Sequence, residues 1–295
     1  MKILFSHSRK GFILVSVLML GVLLISAATT LAWFARTQAR TFSSRVTSLT
    51  DKTFAHVIST AIIKALSEML ADVSYDSPTQ RWYQPFVLTP NNLGVWLVKI
   101  TPLDDKLPLR QLFLPDGSTM RTELAPVWHE MFMRLGYHDG TEQLLLDFMD
   151  RDNKPRVGSV ERDNYLNRPL FDVTELKFLS IDVEGIEEYC TVYSDGKINI
   201  NVAPEKVIEI LPGLDTGGAA QSVIKYREDK AIESLSDIQK IPGLNARTSN
   251  QLMNIIGFGS RYFEIKLDRM NEDSVSSYRI IFDRTSTKIV KWEET

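Results

Sequence analysis

Residues 8–34 read SRKGFILVSVLMLGVLLISAATTLAWF, and this stretch decides the fold. The 23 residues from Phe12 to Phe34 carry no charge. At about 1.5 Å rise per residue they give roughly 35 Å of helix, enough to cross a bilayer core. A secretory signal peptide is the competing reading, since a basic segment precedes the run and Ser26, Ala27 and Ala28 lie inside it, but the run is long for a signal-peptide core. Charge does not orient the segment: Lys2, Arg9 and Lys10 before it balance Arg36, Arg40 and Arg45 after it.

The helical pattern continues past the apolar run. No Pro or Gly occurs between Val22 and Ser77, and Ala35, Ala39, Phe42, Val46 and Leu49 recur at three- and four-residue steps, followed by Phe54, Ile58, Ala61, Ala65 and Met69. The first half of this helix suits packing beside similar helices, and the second half suits a globular domain.

Beyond Pro78 the period changes. Val95–Thr101 (VWLVKIT) and Leu107–Leu114 (LPLRQLFL) read as strands of a hairpin, closed by Pro115-Asp116-Gly117. Thr122–Leu135, Thr141–Met149 and Val202–Ile256 read as helical, with Thr122, Thr141 and Ser236 as capping candidates. Strands resume at Arg261–Leu267, Ser276–Asp283 and Lys288–Trp292. The pattern predicts a helical domain inserted into an α+β fold.

Composition excludes more than it selects. The 295 residues carry a net charge of −3, so the surface as a whole does not seek phosphate. Cys190 is the single cysteine, which rules out an intrachain disulfide and a cysteine-rich metal site. Of the four histidines, His7 and His56 lie in the basic N-terminal segment and the long helix, His129 and His138 have no adjacent Ser or Cys, and no zinc-protease, hydrolase or phosphate-loop motif is present, so no enzymatic activity is expected.

Two segments invite a ligand. Residues 146–165 read LDFMDRDNKPRVGSVERDNY and hold Asp147, Asp150, Asp152, Glu161 and Asp163 around a Pro-Gly loop. Hard oxygen donors on a loop suit calcium, although EF-hand spacing is absent and a solvated acidic loop reads equally well. Residues 199–256 contain two helix-Pro-Gly-Leu-helix units, at Pro212-Gly213-Leu214 and Pro242-Gly243-Leu244. They are similar to DNA-binding helix-hairpin-helix modules. A phosphate-binding hairpin, however, needs a second glycine where Asp215 and Asn245 stand, and six basic against seven acidic residues leave little counterion-release affinity. Asn199, Asn201 and Pro204 before the first unit suit a side-chain-held turn leading into a helix.

The junction Arg9-Lys10-Gly11-Phe12 resembles a type IV prepilin signal. The resemblance implies that a prepilin peptidase cuts between Gly11 and Phe12 and methylates the new N-terminus, which would bring the net charge to −6 (31 basic against 37 acidic). Most pilins carry Glu at the fifth mature position, where this chain has Ser16. Together with the stretch LDDKLPLRQL, the Asp150-x-Asp152 loop with Glu161 and Tyr165, and the Asn199-x-Asn201 entry to the hairpins, that departure is similar to the minor pseudopilin K family of type II secretion systems.

For this chain the resemblance implies a prepilin leader at 1–11, a long helix at 12–77 with its transmembrane part at 12–34, and a first sheet portion at 78–121. A sterile-alpha-motif-like helical insert at 122–258 and a second sheet portion at 259–295 would follow. It implies calcium held by Asp150, Asp152, Glu161 and Asp163, and an assembly role for Ser16 at the pseudopilus tip. Implied partners are minor pseudopilins I and J, other pseudopilins, the prepilin peptidase and the inner-membrane secretion platform. The implied location is a single pass in the cell inner membrane with a periplasmic C-terminal domain. The alternative is a competence or type IV pilus minor pilin that touches DNA through its hairpins.

Overall fold

The computed structural model describes residues 6–91, 93–138, 140–179, 184–214, 218–270 and 275–294, with backbone alone for 6–14 and 275. Its first element is helix α1 (Ser6–Met69), 64 residues long. The absence of Gly and Pro after Gly21 lets the hydrogen-bond ladder run on. Threonines along it donate to carbonyls one turn back: Thr30 Oγ1 to Ser26 O at 2.8 Å and Thr37 Oγ1 to Trp33 O at 3.0 Å. The helix ends at Met69, short of the predicted position 77, and Arg284 holds the chain that follows by donating to Leu70 O and, at 2.9 Å, to Val73 O.

The chain then continues through β1 (Phe86–Leu88), β2 (Val95–Pro102), β3 (Leu107–Pro108), α2 (Ala125–Leu135) and α3 (Thr141–Met149). Next come α4 (Ile186–Tyr189), β4 (Cys190–Thr191), β5 (Ile198–Asn199), α5 (Glu205–Glu209), α6 (Ala219–Asp229), α7 (Leu235–Ile238) and α8 (Ala246–Leu252). It closes with β6 (Ile256–Gly257), β7 (Tyr262–Met270), β8 (Val275–Asp283) and β9 (Lys288–Glu294). Contacts divide the chain into Met1–Val57 and Ile58–Thr295. Among the described residues the first unit is helix throughout, and the second carries the sheet and the insert.

The five-stranded sheet has the order β1-β2-β7-β8-β9, antiparallel throughout. Alternation sends Trp96, Val98 and Ile100 of β2, Phe263, Ile265 and Leu267 of β7, and Tyr278, Ile280 and Phe282 of β8 to a buried face. On the other face Arg279 pairs with Glu264 and, at 3.1 Å, with Glu293. The three late strands match the sequence expectation to within a few residues.

The predicted hairpin of Val95–Thr101 with Leu107–Leu114 does not form. β2 pairs instead with β1 and β7, while Leu107–Pro108 makes a short parallel ladder with β4 and the chain then coils through a 3-10 turn at Leu109–Gln111. The cause is Asp104. Its fully buried carboxylate accepts the backbone N–H groups of Asp195 (2.8 Å), Arg261 (2.9 Å) and Tyr262 (2.9 Å), which turns the chain away from β2. Leu107, Leu109 and Leu112 consequently belong to the core of the insert, one cluster that runs through to Ile256.

The insert therefore starts directly after Pro102, not at 122. It leaves the sheet opposite the place where it returns: Pro102 faces Phe263, and Leu103 N donates to Tyr262 O at 2.9 Å. It is mainly helical but not wholly so, since β3–β4 and β5–β6 form two short parallel ladders. Of the proposed caps none bonds as one: α2 starts at Ala125 with Leu124 at the cap position, Thr141 is the first residue of α3 after Gly140, and Ser236 lies inside α7 behind Ser234. Among the described residues, Val202–Ile256 breaks into four short helices and ends in β6. The asparagine turn forms as expected: Asn199 Oδ1 accepts Asn201 N at 3.1 Å, and the Asn201 amide clamps Ile232 N and O at 2.8 Å each.

Candidate cation loop and apolar helix

The acidic loop is built on the end of α3. Asp147 sits in its last turn and Asp150 is its C-cap, with Asp150 N donating to Leu146 O at 2.9 Å. Two carboxylates at a helix C-terminus oppose the helix dipole, and both are buried, Asp147 completely and Asp150 with 1% exposed. Such a pair requires a cation. Arg156 supplies one: Nε lies 3.2 Å from Asp147 Oδ1 and Nη2 2.9 Å from Asp150 Oδ2. The Arg156 backbone N–H also donates to Asp147 Oδ2 at 3.1 Å, its guanidinium donates to Ser118 O, and its Cζ stands 5.5 Å from the centre of the Phe113 ring.

One guanidinium does not satisfy the whole loop. Burial pushes the Asp150 carboxyl up to about 6 against the pull of Arg156, and Asp152 and Asp147 add to the rise. Glu161 is likewise raised, by burial first and then by Asp147 and Asp152. Asp150 Oδ1, Glu161 Oε2 and Asn167 Oδ1 are buried without a hydrogen-bond partner. Asn167 holds a left-handed backbone (φ 46) and donates to Asn153 Oδ1 at 2.6 Å and Glu161 Oε1 at 3.2 Å. Asp152 Oδ1 accepts Lys154 N at 2.8 Å.

The oxygen chemistry suits calcium, and the orphaned oxygens are the kind a hard cation would take. The arrangement does not yet converge: among the described residues no three His, Cys, Asp or Glu side chains are placed to hold a metal ion. Of the predicted ligands, Asp150, Asp152 and Glu161 share one electrostatic neighbourhood, whereas Asp163 is exposed and takes no part in these contacts. Sequence reasoning missed Arg156, Asn153 and Asn167. Four basic residues (Arg151, Lys154, Arg156 and Arg162) lie in the 146–165 stretch, so composition did not single out Arg156.

The other candidates resolve into structure. The Pro-Gly-Leu turns recur as the repeat implies, with φ of 78° at Gly213 and 87° at Gly243. At the second turn the amides that would meet a phosphate are already used, since Asn245 Oδ1 accepts Arg247 N at 2.9 Å and Thr248 N at 3.1 Å. Asp215 lies outside the described residues. His129 is a surface residue with Nδ1 3.0 Å from Glu142 Oε2. Cys190 is buried beside Met131, and burial pushes its thiol far up, so it is no nucleophile.

On α1, Gly11 and Phe12 fall within the helical backbone, and Ser16 is exposed one turn further on. From Val15 to Phe34 large apolar side chains face outward in every direction, among them Leu18, Met19, Leu23, Leu24, Ile25 and Trp33. A helix apolar all round needs an apolar surrounding. By length and composition this one could cross a membrane.

A long N-terminal helix followed by an antiparallel sheet, with a large insert between neighbouring strands, defines a pilin-like α+β protein. No family model matches the chain, and no curated protein sequence matches it. Among solved structures it is similar to a chain in the crystal structure of the GspK-GspI-GspJ complex from the enterotoxigenic Escherichia coli type 2 secretion system, with a TM-score of 0.68 and 17% identity, covering 88% of this chain and 99% of that one. The likeness shows the fold.

Proposed function

We propose that this chain is a minor pseudopilin of the K type, placed at the tip of a type II secretion pseudopilus, where it starts and caps assembly for export of folded proteins. The observation that most supports this reading is the shared fold over 88% of the chain with a component of a GspK-GspI-GspJ complex. In this reading prepilin peptidase cuts between Gly11 and Phe12 and methylates the new N-terminus. The apolar helix holds the subunit in the inner membrane, with the sheet and insert in the periplasm, until it joins the filament. Ser16 brings no acidic group to a neighbouring subunit's N-terminus, which suits a first or terminal subunit. Pseudopilins I and J are the proposed tip partners, with other pseudopilins and the inner-membrane platform beneath. Calcium is proposed to bind at the acidic loop through Asp150, Asp152 and Glu161.

The test is co-purification of the chain from about Thr37 onward with pseudopilins I and J of the same host, beside titration with duplex DNA. A stable ternary complex is expected. Tight, salt-sensitive DNA binding with no pseudopilin contact would overturn the reading in favour of a competence or pilus minor pilin.

A further inference from the structure

Arg156 stands where a cation would serve Asp147 and Asp150. Both carboxylates are buried at the end of α3, both touch its guanidinium, and the Arg156 side chain is only 23% exposed. It is anchored from behind by Ser118 O and flanked by the Phe113 ring, so it is held and does not sample solvent as a surface arginine does. Its own backbone N–H closes the loop onto Asp147. Hydrogen-bond partners are still missing in the loop at Asp150 Oδ1, Glu161 Oε2 and Asn167 Oδ1, and at Arg156 Nε itself, which meets Asp147 only as an ion pair.

We propose that Arg156 is the built-in cation of this loop: its guanidinium holds the Asp147–Asp150 pair in the metal-free protein, and a divalent cation loads by displacing it from Asp150. The inference rests on the calcium reading of the loop for its second half only. The guanidinium and the metal are alternatives for one buried carboxylate, so the loop stays folded without metal and binds metal more weakly than the bare carboxylates would. Removing one partner of a buried pair leaves the other charge uncompensated, so loss of Arg156 converts the loop to strict dependence on a bound cation. Arg156 is thus a positioning residue, not a ligand.

The test uses the full chain in detergent micelles with calcium chloride or a chelator, read by amide exchange across 146–168 and by calorimetric titration, with the β7–β8 amides as an internal record of folding. In chelator the natural chain is expected to keep its loop protected, while Arg156→Met exchanges at least tenfold faster there and regains protection on adding calcium, with tighter calcium binding. Arg156→Lys, which keeps the charge and loses the fork, is expected to fall between. Protection in chelated Arg156→Met equal to that of the natural chain overturns the counter-ion role. Lost protection that calcium does not restore overturns the exchange of one cation for the other. If the natural chain binds no calcium while Arg156→Met opens and is closed by it, the calcium site of the natural protein falls and the role of Arg156 stands.

Discussion

Asp104 Oδ2 accepts the backbone N–H of Tyr262 at 2.9 Å across 158 positions of sequence. This bond, with its companions to Arg261 and Asp195, fastens the exit of the insert to its entry.

Asp104→Ala leaves three backbone N–H groups without an acceptor in a buried place, and is expected to lower unfolding free energy by at least about 3 kcal/mol. Asp104→Asn, with one acceptor oxygen left, falls between. Urea denaturation followed by tryptophan emission measures both. A loss below about 1 kcal/mol for the alanine variant would contradict the role given to this carboxylate.

Arg261, just before β7, holds Asp283 at the end of β8, with Nη2–Oδ2 2.8 Å and Nε–Oδ1 3.0 Å. This fork, with help from Thr285 N and against the effect of burial, draws the Asp283 carboxyl down to about 2 from the usual 3.8. Because the unfolded chain takes up the proton first as pH falls, the stabilisation is complete above about pH 4 and lost between pH 4 and 2. Since Arg261 is partly solvated, about 1 kcal/mol is at stake. Arg261→Met should flatten the acid limb of a melting-temperature profile in that window.

Asn201 joins the two hairpin units through Ile232 N and O. Asn201→Leu keeps the branched outline, adds bulk and abandons both bonds together with the one to Phe258 O, and a loss of roughly 2–3 kcal/mol is expected. Faster amide exchange at Ile232 would locate the damage.

The two turn glycines should respond unequally. A Cβ at Gly243 meets nothing within 4 Å, so Gly243→Ala pays only for its left-handed backbone, about 1 kcal/mol. At Gly213 the added carbon lies 3.1 Å from both Thr248 Cγ2 and Gln251 Oε1, and a loss of about 2 kcal/mol is expected. Equal melting temperatures would argue against close packing of the first turn on α8.

The helix and the three late strands were legible because their signals are local: in α1 a long uncharged apolar run with no Gly or Pro after Gly21, and in β7 and β8 apolar alternation. β1 is three residues long and offers no period to read. Leu107–Leu114 shows why alternation can mislead. Its leucines are buried as a strand's would be, but in a core assembled from residues up to Ile256, and the turning group is a buried Asp104 whose partners lie far along the chain. In the acidic loop the carboxylates were visible from composition. The Arg156 fork was not, because it depends on α3 delivering two aspartates to one point and on the 114–119 turn offering Ser118 O.

Because Pro102 faces Phe263, the central strand pair of the sheet closes a chain loop of about 160 residues, an entropic barrier of roughly 4–5 kcal/mol if that loop is unstructured. Once the insert has folded, its ends already stand a strand-spacing apart and the barrier is gone. The expected order is therefore insert before sheet, with amide protection in α2 and α3 preceding that in β2 in quenched-flow exchange. During synthesis from the N-terminus β2 emerges long before β7, so the early strand stays an open, adhesive edge until the insert has brought its partner home.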